Sequence, residues 1–121
     1  MLTENQIIRL RDIGFAACHT GAVPEGRKIF DGLLALRPGD TGALIGKALS
    51  RIVVGEFPAA EEILQAQVLA KLPDDPEGLA MLGLCHALSG SHDNARAVLE
   101  KIKDLKTESG QLARNLLAGL G

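Results

Sequence analysis

Three glycines return at a nearly constant interval along the chain: Gly21, Gly55 and Gly90 are separated by 34 and 35 residues. A chain whose turns recur at one spacing is built from copies of one supersecondary unit, and a unit of this length is a pair of helices joined by a turn. Other positions keep the same register. Gly14, Ala48 and Gly83 are all small, as are Gly26, Ala60 and Ala95, whereas Phe30, Leu64 and Leu99 are all bulky and apolar. Each column has a physical reason. Small residues let two antiparallel helices approach closely, the turn glycine can adopt a positive φ, and the bulky residue fills the space between neighbouring pairs.

The segments between the turns read as helices. Ala, Leu, Glu, Lys, Gln and Arg are abundant, and apolar residues recur at intervals of three and four. Glycine and proline interrupt this pattern at HTGAVPEG (19–26), RPGDTG (37–42), GEFPA (55–59), LPDDPEG (72–78) and SGSHDN (89–94). The pattern predicts an all-α chain of seven helices, over about 4–19, 24–37, 41–54, 58–72, 76–89, 92–105 and 109–119. Thr3, Asp40 with Thr41, Asp75 and Ser109 stand where N-caps belong. Pro24, Pro58 and Pro76 fit first turns, where no N–H partner is missed.

Composition narrows what such a chain can do. Its 121 residues, 46% hydrophobic, suffice for one compact domain with its own core. Thirteen basic against 15 acidic residues, without a Lys/Arg cluster, point away from nucleic acid and from an anionic membrane surface. No run approaches the roughly 18 uninterrupted apolar residues that span a bilayer. Cys18 and Cys85 are far apart, and the first residues carry neither the basic nor the apolar stretch of a secretion signal. The expectation is a cytoplasmic protein with reduced thiols.

The repeat resembles the tetratricopeptide family, whose pattern runs Trp-x₂-Leu-Gly-x₂-Tyr, then Ala-x₃-Phe, then Pro. The third copy shows Leu79-x₂-Leu82-Gly83-x₂-His86 and then Ala95-x₃-Leu99. The first shows Leu10-x₂-Ile13-Gly14-x₂-Ala17, Gly26-x₃-Phe30 and Pro38. The second keeps Leu44, Ala48, Gly55, Ala60, Leu64 and Pro73, with one additional residue between Gly55 and Pro73. It carries Lys47 and Arg51 where Leu and Tyr are usual. The resemblance implies an α-solenoid in a single domain over 1–121, with repeats at about 7–40, 41–75 and 76–107 and a solvating C-terminal capping helix at about 109–119.

In this family the first helix of each pair lines the concave face. The corresponding positions hold Ile8, Arg11, Phe15 and Cys18, then Ile45, Leu49, Ile52 and Val53, then Ala80, Leu84, Ala87 and Leu88. The resemblance thus implies an apolar partner-binding groove of Ile8, Phe15, Ile45, Leu49, Ile52, Val53, Leu84 and Leu88. It lacks the Lys, Asn and Arg set with which related domains clamp acidic chain ends. Such a groove suits an amphipathic helix anchored at i, i+3 or i+4, and i+7. On this expectation Leu49→Asp removes client capture and leaves the helices intact. Two other arrangements satisfy the same apolar residues: cover by the chain's own helices, or burial between two copies.

Size and pattern further resemble the small three-repeat chaperones and adaptors of bacterial type III secretion, of the needle-subunit chaperone kind, through the run GAVPEGRKIFDGLLALRPGDTGALIGKALSRIVVGEFPAAEEIL. That resemblance implies a small helical client, such as a needle subunit, and a second small helical co-chaperone. The alternative is a self-associating scaffold, including a homodimer. No catalytic, cofactor or metal site is expected. Cys85 and His86 are adjacent, so on a helix they diverge by about 100° and cannot converge on one metal or proton. His86, His92 and Asp93 lack metal-ligand spacing. Asp74, Asp75 and Glu77 stand at a helix start, where negative charge favours the dipole. Cys18 reads as a small hydrophobe.

Overall fold

The computed structural model describes residues 1–120; Gly121, the last residue of the expected domain, lies outside them. Among the described residues seven helices follow one another: α1 (Glu4–His19), α2 (Val23–Leu36), α3 (Thr41–Ile52), α4 (Phe57–Glu62, continued by a wider π-helical stretch, Ile63–Leu69), α5 (Pro76–Leu88), α6 (His92–Leu99) and α7 (Glu108–Leu120). The three register glycines do the same work three times. Gly21, Gly55 and Gly90 have φ of 89°, 79° and 88°, and are the positive-φ glycines of the described chain. In each turn the following N–H reaches back to a carbonyl five residues earlier: Ala22 to Ala17 (2.8 Å), Glu56 to Arg51 (2.9 Å) and Ser91 to His86 (2.8 Å). This closure satisfies the orphan carbonyls at the ends of α1, α3 and α5.

Helix starts follow the caps with one exception. Thr3 and Gln6 form a reciprocal capping box on α1. Asp40 accepts from the Ala43 N–H (2.9 Å) and Asp75 from the Gly78 N–H (2.8 Å). α7 begins before the expected Ser109, because Thr107 accepts the Gly110 N–H at 3.2 Å and caps instead.

The additional residue of the second repeat has a visible destination. It falls beyond Leu64, where the helix widens to i→i+5 bonding over Ile63–Leu69; the Ala70 N–H donates to the Gln65 carbonyl at 3.0 Å. A π turn takes up an extra residue without ending the helix. The register of the stack therefore survives the change from 34 to 35.

Helices α1, α3 and α5 pack side by side, α2, α4 and α6 back them, and α7 packs on α5 and α6 where a fourth leading helix would stand. Phe30, Leu64 and Leu99 are fully buried between the layers, and Ala60 and Ala95 are buried beside them. Opposite the bulky residues the small ones are obligatory. A Cβ on Gly14 would meet the Phe30 ring at 2.7 Å, and one on Gly83 would overlap Leu99. α5 is apolar around its whole circumference and is buried on most sides, Cys85 and His86 included. The pair is scaffold: Cys85 Sγ lies 3.5 Å from the Phe57 carbonyl, and burial pushes its thiol above the usual range.

Polar side chains fasten the layers at their edges. Arg27 on α2 donates to Ser50 Oγ and to the Ser50 carbonyl, each at 3.1 Å, and to Glu56 at 2.5 Å. It thereby holds the end of α3, and the same bond keeps the Glu56 carboxyl below the usual carboxylate range. Lys47 and Arg51, at positions where the repeat has apolar residues, pair with Asp31 (2.9 Å) and Glu56 (3.2 Å).

α6 ends at Leu99, six residues short of the expected 105, and turns carry the chain to α7. Arg114 on α7 donates to the carbonyls of Lys103 (2.6 Å) and Leu105 (3.0 Å) and ties this turn to α7. Gly110 lies flat against this turn: a Cβ there would overlap the Leu105 carbonyl oxygen. Gly110→Ala, which would raise helix propensity in open surroundings, is expected to destabilise the chain by about 2 kcal/mol through overpacking. Gly32→Ala in α2, where nothing lies within 4 Å of the added methyl, is expected to stabilise by about 0.5 kcal/mol. Urea unfolding of both variants checks the opposite signs.

Candidate binding groove

The leading helices and the start of α7 enclose a concavity of about 820 Å³ that is open on one side. Its floor is mostly apolar: Phe15 from α1, Leu49 from α3, Ala80, Met81 and Leu84 from α5, and Leu112 from α7. Phe15, Leu49 and Leu84 occupy one register position in the three repeats, so the repeat itself lays an apolar line across all three leading helices. A helix with its side chains is about 10 Å across and rises about 5.4 Å per turn, or about 420 Å³ each turn. The cavity therefore has room for roughly two turns of helix, the span of anchors at i, i+3 or i+4, and i+7.

Of the eight residues expected on the groove, Phe15, Leu49 and Leu84 line this cavity. Ile45 and Ile52 do not: they are 1% and 2% exposed and belong to the core. The reason is position in the stack. α3 has α1 and α5 on its two sides and α2 and α4 behind it, so only a narrow stripe of it reaches the concave face. Ile8, Val53 and Leu88 are exposed but stand outside the cavity lining. Cys18, also placed on the concave face by the repeat, is buried between α1 and α2, where a Cβ on Gly26 would lie 2.8 Å from its sulfur. Burial raises its thiol pKa. Arg11 turns toward the α3 cap and lies 3.5 Å from Asp40.

Several lining residues are not visible in the repeat pattern. Leu112, Glu108 and Ser109 come from α7 and Thr107 from its cap; α7 serves as a fourth leading helix as well as an end cap. Met81 lies one residue past the expected Ala80. Asp12, His19 and Glu77 bring polar groups to the cavity. Glu77 stands in the first turn of α5, as its place beside the cap predicts, yet it also faces the concavity. Its surface is reached by water from the open side, while the wall around it displaces enough solvent to push its carboxyl above the usual range. Asp75 and Glu108 push the same way, and Arg11 opposes them.

No family model and no curated protein matches the sequence. Solved structures do match the fold. The chain is similar to the type III secretion translocator chaperone SycD of Yersinia enterocolitica in its alternative dimer, with a TM-score of 0.73 at 18% identity over 98% of this chain and 93% of that one. A second structure of the same chaperone gives a TM-score of 0.71 at 17% identity over 99% of this chain and 86% of that one. The all-helical, tetratricopeptide-like stack expected from the repeat is the fold that these structures share with the chain.

Proposed function

We propose that this protein is a chaperone or adaptor that holds an amphipathic helix of a small client, a type III secretion substrate, in the groove between α1, α3, α5 and the start of α7. The observation that carries this reading is the open apolar cavity lined by Phe15, Leu49, Met81, Leu84 and Leu112. Side chains of this kind, left in a concavity of a small protein, are stabilised by a partner's apolar face at about 25 cal/mol per Å². The likeness in fold to a secretion chaperone supports the client class. The needle-subunit kind, suggested by sequence, and the translocator kind, suggested by fold, have in common a client stored before export. Catalysis has no part in this role.

Leu84 is the residue with which to test it. It lines the cavity and is only partly buried, so a charge there stays hydrated and spoils the floor. Coexpression with the small helical products of adjoining reading frames, followed by sedimentation, is expected to give a 1:1 complex with the natural chain. Leu84→Asp should lose that complex by at least about tenfold in affinity while keeping its helical circular dichroism. A natural chain that instead sediments as a tight dimer at every concentration, and takes up no client, supports the scaffold reading.

A further inference from the structure

Three carboxylates stand around the apolar floor. Asp12 from the middle of α1, Glu77 from the first turn of α5 and Glu108 from the first turn of α7 all line the cavity. Among the described residues no lysine or arginine lines it, and His19 is its one basic side chain. None of the three carboxylates has a lysine or arginine in ion-pair range among the described residues. Glu77 and Glu108 also stabilise the starts of their helices. Asp12, more than two turns into α1, has no such role. Glu108 adds to the upward push on the Glu77 carboxyl, and Arg11, which opposes it, lies against Asp40.

Given the groove as the binding site, we propose that its occupant is a cationic amphipathic helix of a partner protein, with apolar residues on Phe15, Leu49 and Leu84 and lysines or arginines against Asp12, Glu77 and Glu108. Apolar burial supplies affinity that any oily helix would share. The carboxylates supply the discrimination, since an acidic helix brought to the same floor meets like charge in a partly desolvated cleft. The polarity is the opposite of a clamp for acidic chain ends.

The test uses two synthetic peptides of about 18 residues, long enough to form helix on binding, with the same leucine face. One carries lysines on its flanks and the other glutamates. Both are titrated into the full chain and into the Asp12→Asn, Glu77→Gln, Glu108→Gln triple variant by fluorescence anisotropy. The lysine peptide is expected to bind the natural chain about tenfold more tightly than the glutamate peptide, with an advantage that shrinks as salt is raised. In the triple variant the advantage should vanish while leucine-driven binding persists. Equal binding of the two peptides, lost on Leu84→Asp, would leave the groove standing and overturn the charge assignment. A lysine preference that survives in the triple variant overturns it too, by placing the attraction elsewhere. If neither peptide binds the natural chain, the groove assignment falls with it. A peptide that cannot displace a second copy, seen by sedimentation, makes that copy the occupant instead.

Discussion

Phe30→Ala should lower the unfolding free energy by about 4 kcal/mol, the range found when a fully enclosed aromatic ring is emptied from a core. The ring is completely buried and is gripped from three sides. On α1, Gly14 leaves space for it; on α3, Gly46 does the same; and the Phe15 ring meets it edge-on at 5.3 Å between centroids and 71°. The two glycines opposite the phenylalanine offer no side chain to fill the vacancy from α1 or α3 at those positions, so the cavity term stays high. Domains of this size hold about 5–15 kcal/mol in all, so the variant is expected to melt far below the natural chain. Urea denaturation followed by circular dichroism measures it. A midpoint that moves by an amount worth less than about 1.5 kcal/mol, smaller than any emptied aromatic site, would show that the stack can close over the missing ring.

Leu49→Asp is expected to unfold the protein. This corrects what the repeat suggests, namely loss of client with helices intact. Leu49 touches the groove, but it is 3% exposed and packs in the same cluster as Ile45, Ile52 and Leu64. A carboxylate there has no cation in the core to meet and loses most of its hydration, at a cost of several kcal/mol. Leu84 occupies the same register position one repeat later and is only partly buried, so Leu84→Asp is the variant that separates binding from folding. The contrast is measurable by thermal unfolding of the two side by side. A Leu49→Asp protein with the natural melting temperature would move Leu49 from the core to the groove surface.

Much of the architecture was legible in the chain. The glycine spacing, the small and bulky columns and the prolines in first turns are local facts, and they foretell seven helices with boundaries that differ from the observed ones by a few residues at most, apart from α6. That exception is instructive. Nothing in the run of residues 100 to 105 forbids helix; its turns are tied to α7, where Arg114 holds the Lys103 and Leu105 carbonyls, a contact that no local pattern shows. The extra residue of the second repeat was countable, but whether it becomes a loop or a π turn depends on what Leu64 and Val68 must bury.

The groove was legible only in part. Periodicity says which side of a helix is apolar, and α3 is apolar over a wide stripe. Which part of that stripe meets solvent depends on how the neighbouring helices cover it, and α3 is packed against α1, α2, α4 and α5. Ile45 and Ile52 therefore went to the core, while Met81, Leu112 and the acids Asp12, Glu77 and Glu108 came to the cavity from positions that no repeat column marks.

By itself the sequence determined the unit, its number of copies, the turns and the pairing of small with bulky residues, because each is set by backbone sterics and contacts within one hairpin or to the next. The tertiary structure alone decided which apolar residues remain open to a partner and what charge surrounds them. Exposure is what remains after every other helix has been placed, and a chain of residues carries no local record of it.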